Sequence, residues 1–369
     1  MKVPFAPYAR YYLDYKEEID REMQRVLGDG QMILREDVDS FEKSLARRVG
    51  SSYGVGVNSG TDALTLALRV AGIKPGDDVI TVSHTFVATI EAIIKNGARP
   101  VLVDIGDDYL MDMNQVIWKM TKRTKAIISV HLSGDMCDMS QLVSITDGQQ
   151  VSIIEDAAQA LGATRDGFRA GGGGFAGCFS FYPAKILGTF GDAGAITTDD
   201  KDAAERLKML RNHYMIGRIP RDTDDRRVEY GTNTRMDNLH AAILNVKLKY
   251  FEEQVKRRKE IADIYFKELE NLPLVLPSRR EGRVYQDFVL RVKEPTELAL
   301  FLETRGIGTL GTGLTPVHRY KNLHLYGSRA HLKKTEDYTK EFIAIPCNPH
   351  MTDENAYYVA EMIDEFFKR

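Results

Sequence analysis

The chain has 369 residues, of which 43% are hydrophobic and 28% charged, and its formal net charge is −3. That is the composition of a soluble globular protein of about two domains, and it lacks the basic surplus that nucleic acid or an anionic membrane attracts. Cys137, Cys178 and Cys347 are scattered, with no CxxC and no Cys/His cluster, which argues against a metal site and a disulfide framework and fits a reducing cytoplasm.

In chain order, residues 15–28 place Ile19, Met23, Val26 and Leu27 at helical spacing, and Gly28-Asp29-Gly30 stops the helix. The N-terminal stretch has no apolar core of the kind a secretory signal carries. Residues 38–49 repeat the helical pattern, with Ser40 as the expected cap. Tyr53 to Val57 reads as a short buried strand, followed by Asn58-Ser59-Gly60-Thr61-Asp62 and a helix over 63–71. This strand–turn–helix junction has two readings. Helix N-termini bind anions, so Gly60 and Thr61 are candidate phosphate contacts; Ser and Asp are also ordinary helix caps.

Strands and helices then alternate. Strands are expected at 78–82, 101–104, 126–131 and 151–155, and helices at 86–96, 113–122 and 139–146. Such alternation predicts an α/β sheet, mostly parallel, covered by helices on both faces. Ligands bind such sheets at the carboxyl ends of the strands, where Phe86, Asp156 and Gln159 fall. Asp156 leaves an apolar strand, so it either meets a cationic partner or caps the next helix. The run Gly171 to Gly174 fits neither a dinucleotide fingerprint nor a Walker loop and reads as a flexible loop. No apolar run approaches the ~20 residues of a membrane span.

The stretch 178–196, CFSFYPAKILGTFGDAGAI, sets Lys185 among aromatic residues and glycines. A lysine that attacks a carbonyl needs a partly dehydrated pocket, which lowers its pKa. Ser180 offers a hydroxyl nearby, and Gly188, Gly191 and Gly194 offer backbone freedom and close approach. A strand followed by an ordinary glycine-rich turn is the other reading. A polar stretch at 211–232 carries Arg218, Arg221, Arg226 and Arg227 and suits a solvated loop or an anion-facing one. One long helix is expected from Leu239 to about Leu269. A smaller α+β portion then runs to the end, with a strand at 285–292, helices at 296–305, 333–342 and 354–367, and a short apolar segment at 343–346. The expected division is 1–245 for a large domain and 246–369 for a small one.

Eight segments together resemble one family: NSGTDAL (58–64), HTFVAT (84–89), VDI (103–105), IEDAAQALGA (154–163), FSFYPAK (179–185), GTNTRMDNLHAAIL (231–244), PVHRYKNL (316–323) and IPCNPHMTDEN (345–355). In this order they resemble the DegT/DnrJ/EryC1/StrS sugar aminotransferases, which use pyridoxal phosphate on the aspartate-aminotransferase fold (fold type I). The resemblance implies a large domain with a mostly parallel seven-stranded sheet and a smaller C-terminal domain. It implies that Lys185 holds the cofactor as a Schiff base and later serves as general base. Asp156 would pair with the ring nitrogen, Gln159 with the ring hydroxyl oxygen, and Phe86 would stack on the ring. Gly60, Thr61 and Ser180 would hold the phosphate. Asn233 would reach it from a second subunit, making the site a property of a homodimer. Tyr182, His318 and Arg235 are candidate substrate residues.

The implied reaction moves an amino group, with L-glutamate the implied donor, to a keto sugar. SFYPxK followed by LGxxGD is similar to members that aminate nucleotide-linked 3-keto-6-deoxy sugars for amino-sugar and surface-polysaccharide (lipopolysaccharide, O-antigen) biosynthesis. A dehydratase branch, in which histidine replaces the lysine, and aminotransferases of free keto sugars or sugar acids are the alternatives. Departures from the family pattern are Ile186 where asparagine is usual, Ala193-Gly194 for two glycines, and Gly313-Leu314-Thr315-Pro316 for a tyrosine–proline motif.

Overall fold

The structure is a computed structural model that describes residues 1–215, 229–312, 314–323 and 330–369. The arginines at 218, 221, 226 and 227 lie outside the described residues, as does Gly313.

Three helices open the chain: α1 (Arg10–Leu13), α2 (Lys16–Asp29) and α3 (Glu36–Val49). α2 runs through Gly28 and ends where Gly30 turns left-handed at φ 64°. Ser40 does not cap α3. It lies inside the helix, which begins after Arg35 without a side-chain cap and takes its N-terminal support from Glu36, Asp37 and Asp39 in the first turn. The long helix expected at 239–269 is two helices, α9 (Asn238–Leu248) and α10 (Phe251–Leu269). The Lys249 and Tyr250 amides bond three residues back, to Val246 and Lys247, and close α9 with a tight turn. No glycine or proline marks that break.

The alternating region forms a seven-stranded sheet in the order β1-β9-β8-β5-β4-β2-β3. Its strands are β1 (Tyr53–Val57), β2 (Asp78–Val82), β3 (Arg99–Val103), β4 (Thr124–Val130), β5 (Ser152–Asp156), β8 (Ala176–Ser180) and β9 (Gly194–Thr198). A small hairpin, β6 (Thr164–Arg165) and β7 (Phe168–Arg169), lies between β5 and β8. Only β9 runs against the rest, pairing antiparallel with both β1 and β8. The connecting helices are α4 (Gly60–Val70), α5 (Val87–Lys95), α6 (Met113–Lys119), α7 (Met139–Thr146) and α8 (Lys201–Leu210). Strands buried on both faces explain their near-continuous apolar sequence.

A second apolar cluster gathers Tyr265, Phe288, Leu298, Ile343 and Ile363. It is built by the C-terminal half of α10, the two-stranded sheet β10 (Phe288–Arg291) and β11 (Phe342–Ile345), α11 (Pro295–Thr304) and α13 (Asp353–Phe367). α12 (Lys333–Glu341) has no capping side chain of its own. Asp104, at the end of β3, supplies one from a distance: its carboxylate accepts from the Lys334 amide at 2.9 Å, and from the Thr335 amide at 2.8 Å and hydroxyl at 2.6 Å. α10 joins the two cores, with Phe251 and Val255 in the first and Ile261 to Leu269 in the second.

The glycine run 171–174 is a clamp rather than a free loop. The fully buried Glu155 carboxylate accepts from the Gly171, Gly173 and Gly174 amides at 2.7–2.8 Å and from His131 Nε2 at 2.8 Å. The Cys137 amide donates to His131 Nδ1 at 3.2 Å, so the ring proton sits on Nε2 and the imidazole is neutral. Glycine is required because β8 passes so close: a Cβ on Gly171 would lie 2.1 Å from Cζ of Phe179. Glu155→Ala strands these buried donors. It is expected to lower the unfolding free energy by about 3 kcal/mol or more, measured by equilibrium urea unfolding; a loss under ~1 kcal/mol would mean that other contacts hold the turn.

Candidate functional site

The carboxyl ends of β4, β5 and β8, the N-terminus of α4, and the segments before β10 and after β11 surround one cavity of about 630 Å³. Lys185, Asp156, Gln159, Ser180, Gly60, Thr61, Phe86 and Tyr182 all line it. Eight of the eleven residues singled out in the sequence are thus brought together. Asn233, Arg235 and His318 are not.

Lys185 follows β8 in a turn whose amide bonds back to the Tyr182 carbonyl at 2.9 Å. Burial pushes its amine below the ordinary lysine range, while Asp287 first and Asp156 second pull it back up. Gln286 fixes the lysine backbone from both sides. Its Nε2 donates to the Ala184 carbonyl and its Oε1 accepts from the Ile186 amide, both at 2.9 Å. None of Gly188, Gly191 or Gly194 has a left-handed φ. What they give is closeness: a Cβ on Gly194 would fall 2.3 Å from the Ser59 carbonyl.

Asp156 ends β5 and caps no helix. Its Oδ2 accepts from Thr89 Oγ1 at 2.8 Å and its Oδ1 from the Ala158 amide at 3.3 Å. Burial raises its pKa against those bonds and against Lys185. A carboxylate held this way has lone pairs to spare and favours a cationic partner. Gln159 Oε1 accepts from the Ser133 amide at 2.7 Å, which leaves its NH₂ group as the donor for the cavity.

At α4, Ser59 is the helix cap: its hydroxyl accepts from the Asp62 amide at 3.1 Å and donates to the Asp62 carboxylate at 2.8 Å. The capping reading therefore holds for Ser59, while Gly60 and Thr61 line the cavity with first-turn amides that no helix carbonyl can reach. A Cβ on Gly60 would lie 2.9 Å from Ser180 Cβ, so glycine lets helix and strand close on one anion-sized cradle. Phe86, at the start of α5, is 75% exposed and offers an aromatic face to the cavity.

His318 is placed away from this cavity. Its Nδ1 bonds Ser83 Oγ at 2.7 Å and its Nε2 bonds Glu336 at 3.0 Å, so neither ring nitrogen is left for a substrate. Asn233 is exposed and bridges to Asn212, and Arg235 donates to Asn212 Oδ1 at 3.1 Å. Several wall residues went unread in the sequence. Phe5, Ala6 and Tyr11 bring the N-terminal segment over the cavity, and Arg258, Gln286 and Asp287 come from α10 and the turn before β10. Their only sequence signal is a charged or polar residue next to a buried strand or within a mixed helix. Among the described residues no group of His, Cys, Asp and Glu could hold a metal ion, and no helix is long and apolar enough to cross a membrane.

The donor set fits pyridoxal phosphate on four counts: an amine of lowered proton affinity, a carboxylate with spare acceptor capacity, an NH₂ donor, and a helix-terminal anion cradle in a cavity that an aromatic residue also lines.

Known proteins resemble the chain over nearly its whole length. The profile of the DegT/DnrJ/EryC1/StrS aminotransferase family matches residues 13–364. The chain is 39% identical over 367 residues to the dTDP-3-amino-3,6-dideoxy-alpha-D-galactopyranose transaminase of Aneurinibacillus thermoaerophilus, covering 99% of each. The crystal structure of Streptomyces venezuelae DesV is 37% identical, with a TM-score of 0.93, covering 100% of this chain and 99% of that one. The NtdA structure from Bacillus subtilis, with bound cofactor PMP, is 29% identical at a TM-score of 0.91, covering 100% of this chain and 86% of that one. The chain belongs to the DegT/DnrJ/EryC1/StrS aminotransferase family.

The cradle geometry gives a direct expectation. Gly60→Ala should weaken the binding of a phosphate ester by about tenfold or more, since one lost charge-assisted bond to a phosphate is worth about 1.5 kcal/mol or more. Equilibrium dialysis with pyridoxal phosphate measures it; unchanged affinity would place the phosphate elsewhere.

Proposed function

We propose that this chain is a pyridoxal-phosphate aminotransferase that moves the amino group of an amino acid, L-glutamate, to the ketone of a nucleotide-linked 3-keto-6-deoxyhexose. The observation that carries this reading is Lys185 and Asp156 lining one cavity, the amine with lowered and the carboxylate with raised proton affinity. The sugar follows the A. thermoaerophilus relative, whose name describes a 3-amino-3,6-dideoxy product on dTDP. The product would serve surface-polysaccharide assembly, with the enzyme working in the cytoplasm.

When bound, the cofactor supplies a carbonyl carbon that carries the amino group and a conjugated ring that withdraws electrons. The protein's residues do the rest. Asp156 would keep the ring nitrogen protonated, which would strengthen that withdrawal. Gln159 would donate its NH₂ group to the ring oxygen, and Gly60, Thr61 and Ser180 would hold the phosphate. Phe86 would pack on the ring. Lys185 Nζ would anchor the cofactor and, once free, would take a proton from the amino-bearing carbon and return it to the carbon on the other side of the nitrogen. Burial lowers its proton affinity, which favours the neutral amine that a general base needs. Phe5, Ala6 and Tyr11 shield the cavity from water.

Asn233 and Arg235, which lie off the cavity of their own chain, serve the site of a second copy in a homodimer. Tyr182 is the substrate-side aromatic. We take residues 1–245 as the cofactor-binding domain and 246–369 as the smaller domain. His318, bonded on both ring nitrogens, is given a structural role.

The purified protein should show a near-visible cofactor band that borohydride fixes covalently on Lys185. Lys185→Ala should lack it. L-glutamate alone should bleach the band, and a dTDP-linked 3-keto sugar should restore it, in the two separable halves of a ping-pong reaction. A wild-type protein that takes up no pyridoxal phosphate would sink this reading. Water loss without amino transfer would move the chain to the dehydratase class.

A further inference from the structure

We propose that Asp287 is the counter-ion of the Lys185 amine on the substrate side of the cavity, a positioning residue that sets how tightly that amine holds a proton during amino transfer. The inference rests on the aminotransferase reading and adds a carboxylate to its machinery.

The first argument is rigidity. Gln286 bonds to Ala184 and Ile186, the two neighbours of Lys185, so residue 287 is tied to the lysine turn by the residue before it. Arg258 Nη1 fixes the same segment from below. It donates to the carbonyls of Tyr285 at 3.2 Å and Gln286 at 3.1 Å, and to that of Cys347. These bonds hold the backbone before Asp287 against the lysine turn. Both residues line the one cavity.

The second argument is the distribution of charge. Lys185 is met by Asp156 from the end of β5 and by Asp287 from the turn before β10. Asp192, Arg258, Tyr11, Tyr182 and the neutral imidazole of His131 complete the polar wall. Asp156 already serves Thr89 and the Ala158 amide, and with the cofactor bound its charge is matched by the ring nitrogen. Arg258 spends Nη1 on backbone carbonyls. Arg283 is committed to Ser278, the Ser133 carbonyl and Asp135. Among the described residues Asp287 has no cation at ion-pair distance, although buried carboxylates ordinarily have one. Lys185 and Arg258, whose Nη1 is already engaged, are the two cations that line the cavity with it. Burial raises the Asp287 pKa and Lys185 opposes that rise more than any other group, which agrees with the geometry.

The consequence is chemical. A lysine that accepts a proton in a dehydrated cavity becomes a buried ammonium, and burial alone would make it too weak a base. A carboxylate on the wall of the same cavity stabilises that ammonium without bonding to it so tightly that the proton cannot be passed on.

The test is the pH titration of the near-visible band of the holoenzyme, for wild type, Asp287→Asn and Asp287→Glu. Removing a negative charge beside a protonated nitrogen favours its neutral form, so the Asp287→Asn midpoint should fall by about one pH unit. Asp287→Glu, which keeps the charge, should stay near wild type. In cofactor-free full-length protein, the pH profile of Lys185 acylation by acetic anhydride, read by peptide mass spectrometry, should move the same way. Equal midpoints in wild type and Asp287→Asn, or one common shift in the Asn and Glu variants, would overturn the proposal. A wild-type enzyme that binds the cofactor but is not bleached by L-glutamate would overturn the aminotransferase reading instead, and the acylation profile would still decide the role of Asp287.

Discussion

Adjacent carboxylates at one strand end organise this protein. Side chains alternate along a strand, so Glu155 and Asp156 leave β5 on opposite faces of the sheet. Each is buried, and each must be satisfied or cost stability. Glu155 is satisfied by the protein alone. It collects three backbone amides and a histidine, and in doing so fixes the turn that delivers β8. Asp156 receives one hydroxyl and one long amide bond. The same chemical group is thus a structural bolt on one face and a ligand contact on the other. Because β8 leads directly into Lys185, the bolt on the first face helps set the position of the reactive amine on the second.

The lysine turn is held by a ring of further contacts from distant parts of the chain. Gln286 binds it on one side. On the other, Lys247 of α9, 3% exposed, donates to the Gly188 carbonyl and sits 5.4 Å from the Tyr11 ring and 5.2 Å from the Phe190 ring. Burial pushes the Lys247 amine down to about 8. No carboxylate partners it among the described residues, so the aromatic faces and the carbonyl carry its charge. Tyr11 belongs to the N-terminal segment that lines the cavity, so one buried ammonium joins that segment, the lysine turn and α9.

The sequence carried the alternating α/β order, the strand-end positions of Phe86, Asp156 and Gln159, and the setting of Lys185, because each follows from local pattern and a short motif. It was silent where tertiary contacts decide. The break between α9 and α10 has no glycine or proline; hydrogen bonding in the last turn makes it. The glycine run read as free because its partner, Glu155, is sixteen residues away from Gly171. Asp104, visible within the VDI segment, caps a helix more than 200 residues further on. His318 is a candidate substrate residue by the family resemblance, yet Ser83 and Glu336 consume its nitrogens. Asp287 carried no motif. Its place in the cavity depends on how the turn before β10 docks on the lysine turn, which no local pattern encodes.

Among the carboxylates, completeness of pairing distinguishes those that brace the fold from those that line the cavity. Glu42 is paired with Arg211 and accepts the Gly56 amide at 2.8 Å. Asp78 takes both arms of Arg99 at 2.7–2.8 Å, and Arg123 besides. Glu155 has its four donors. These groups are complete, and completion is what makes a buried charge tolerable. Asp156, Lys185 and Asp287 are incomplete, and all three line the same cavity. Such incompleteness costs stability in the empty protein, so it persists where a ligand completes it. A phosphate-bearing cofactor with a basic ring nitrogen and a carbonyl carbon supplies the counter-charge for Asp156 and the bond for Lys185. Asp287 is then left facing whatever positive charge the reaction creates on the lysine.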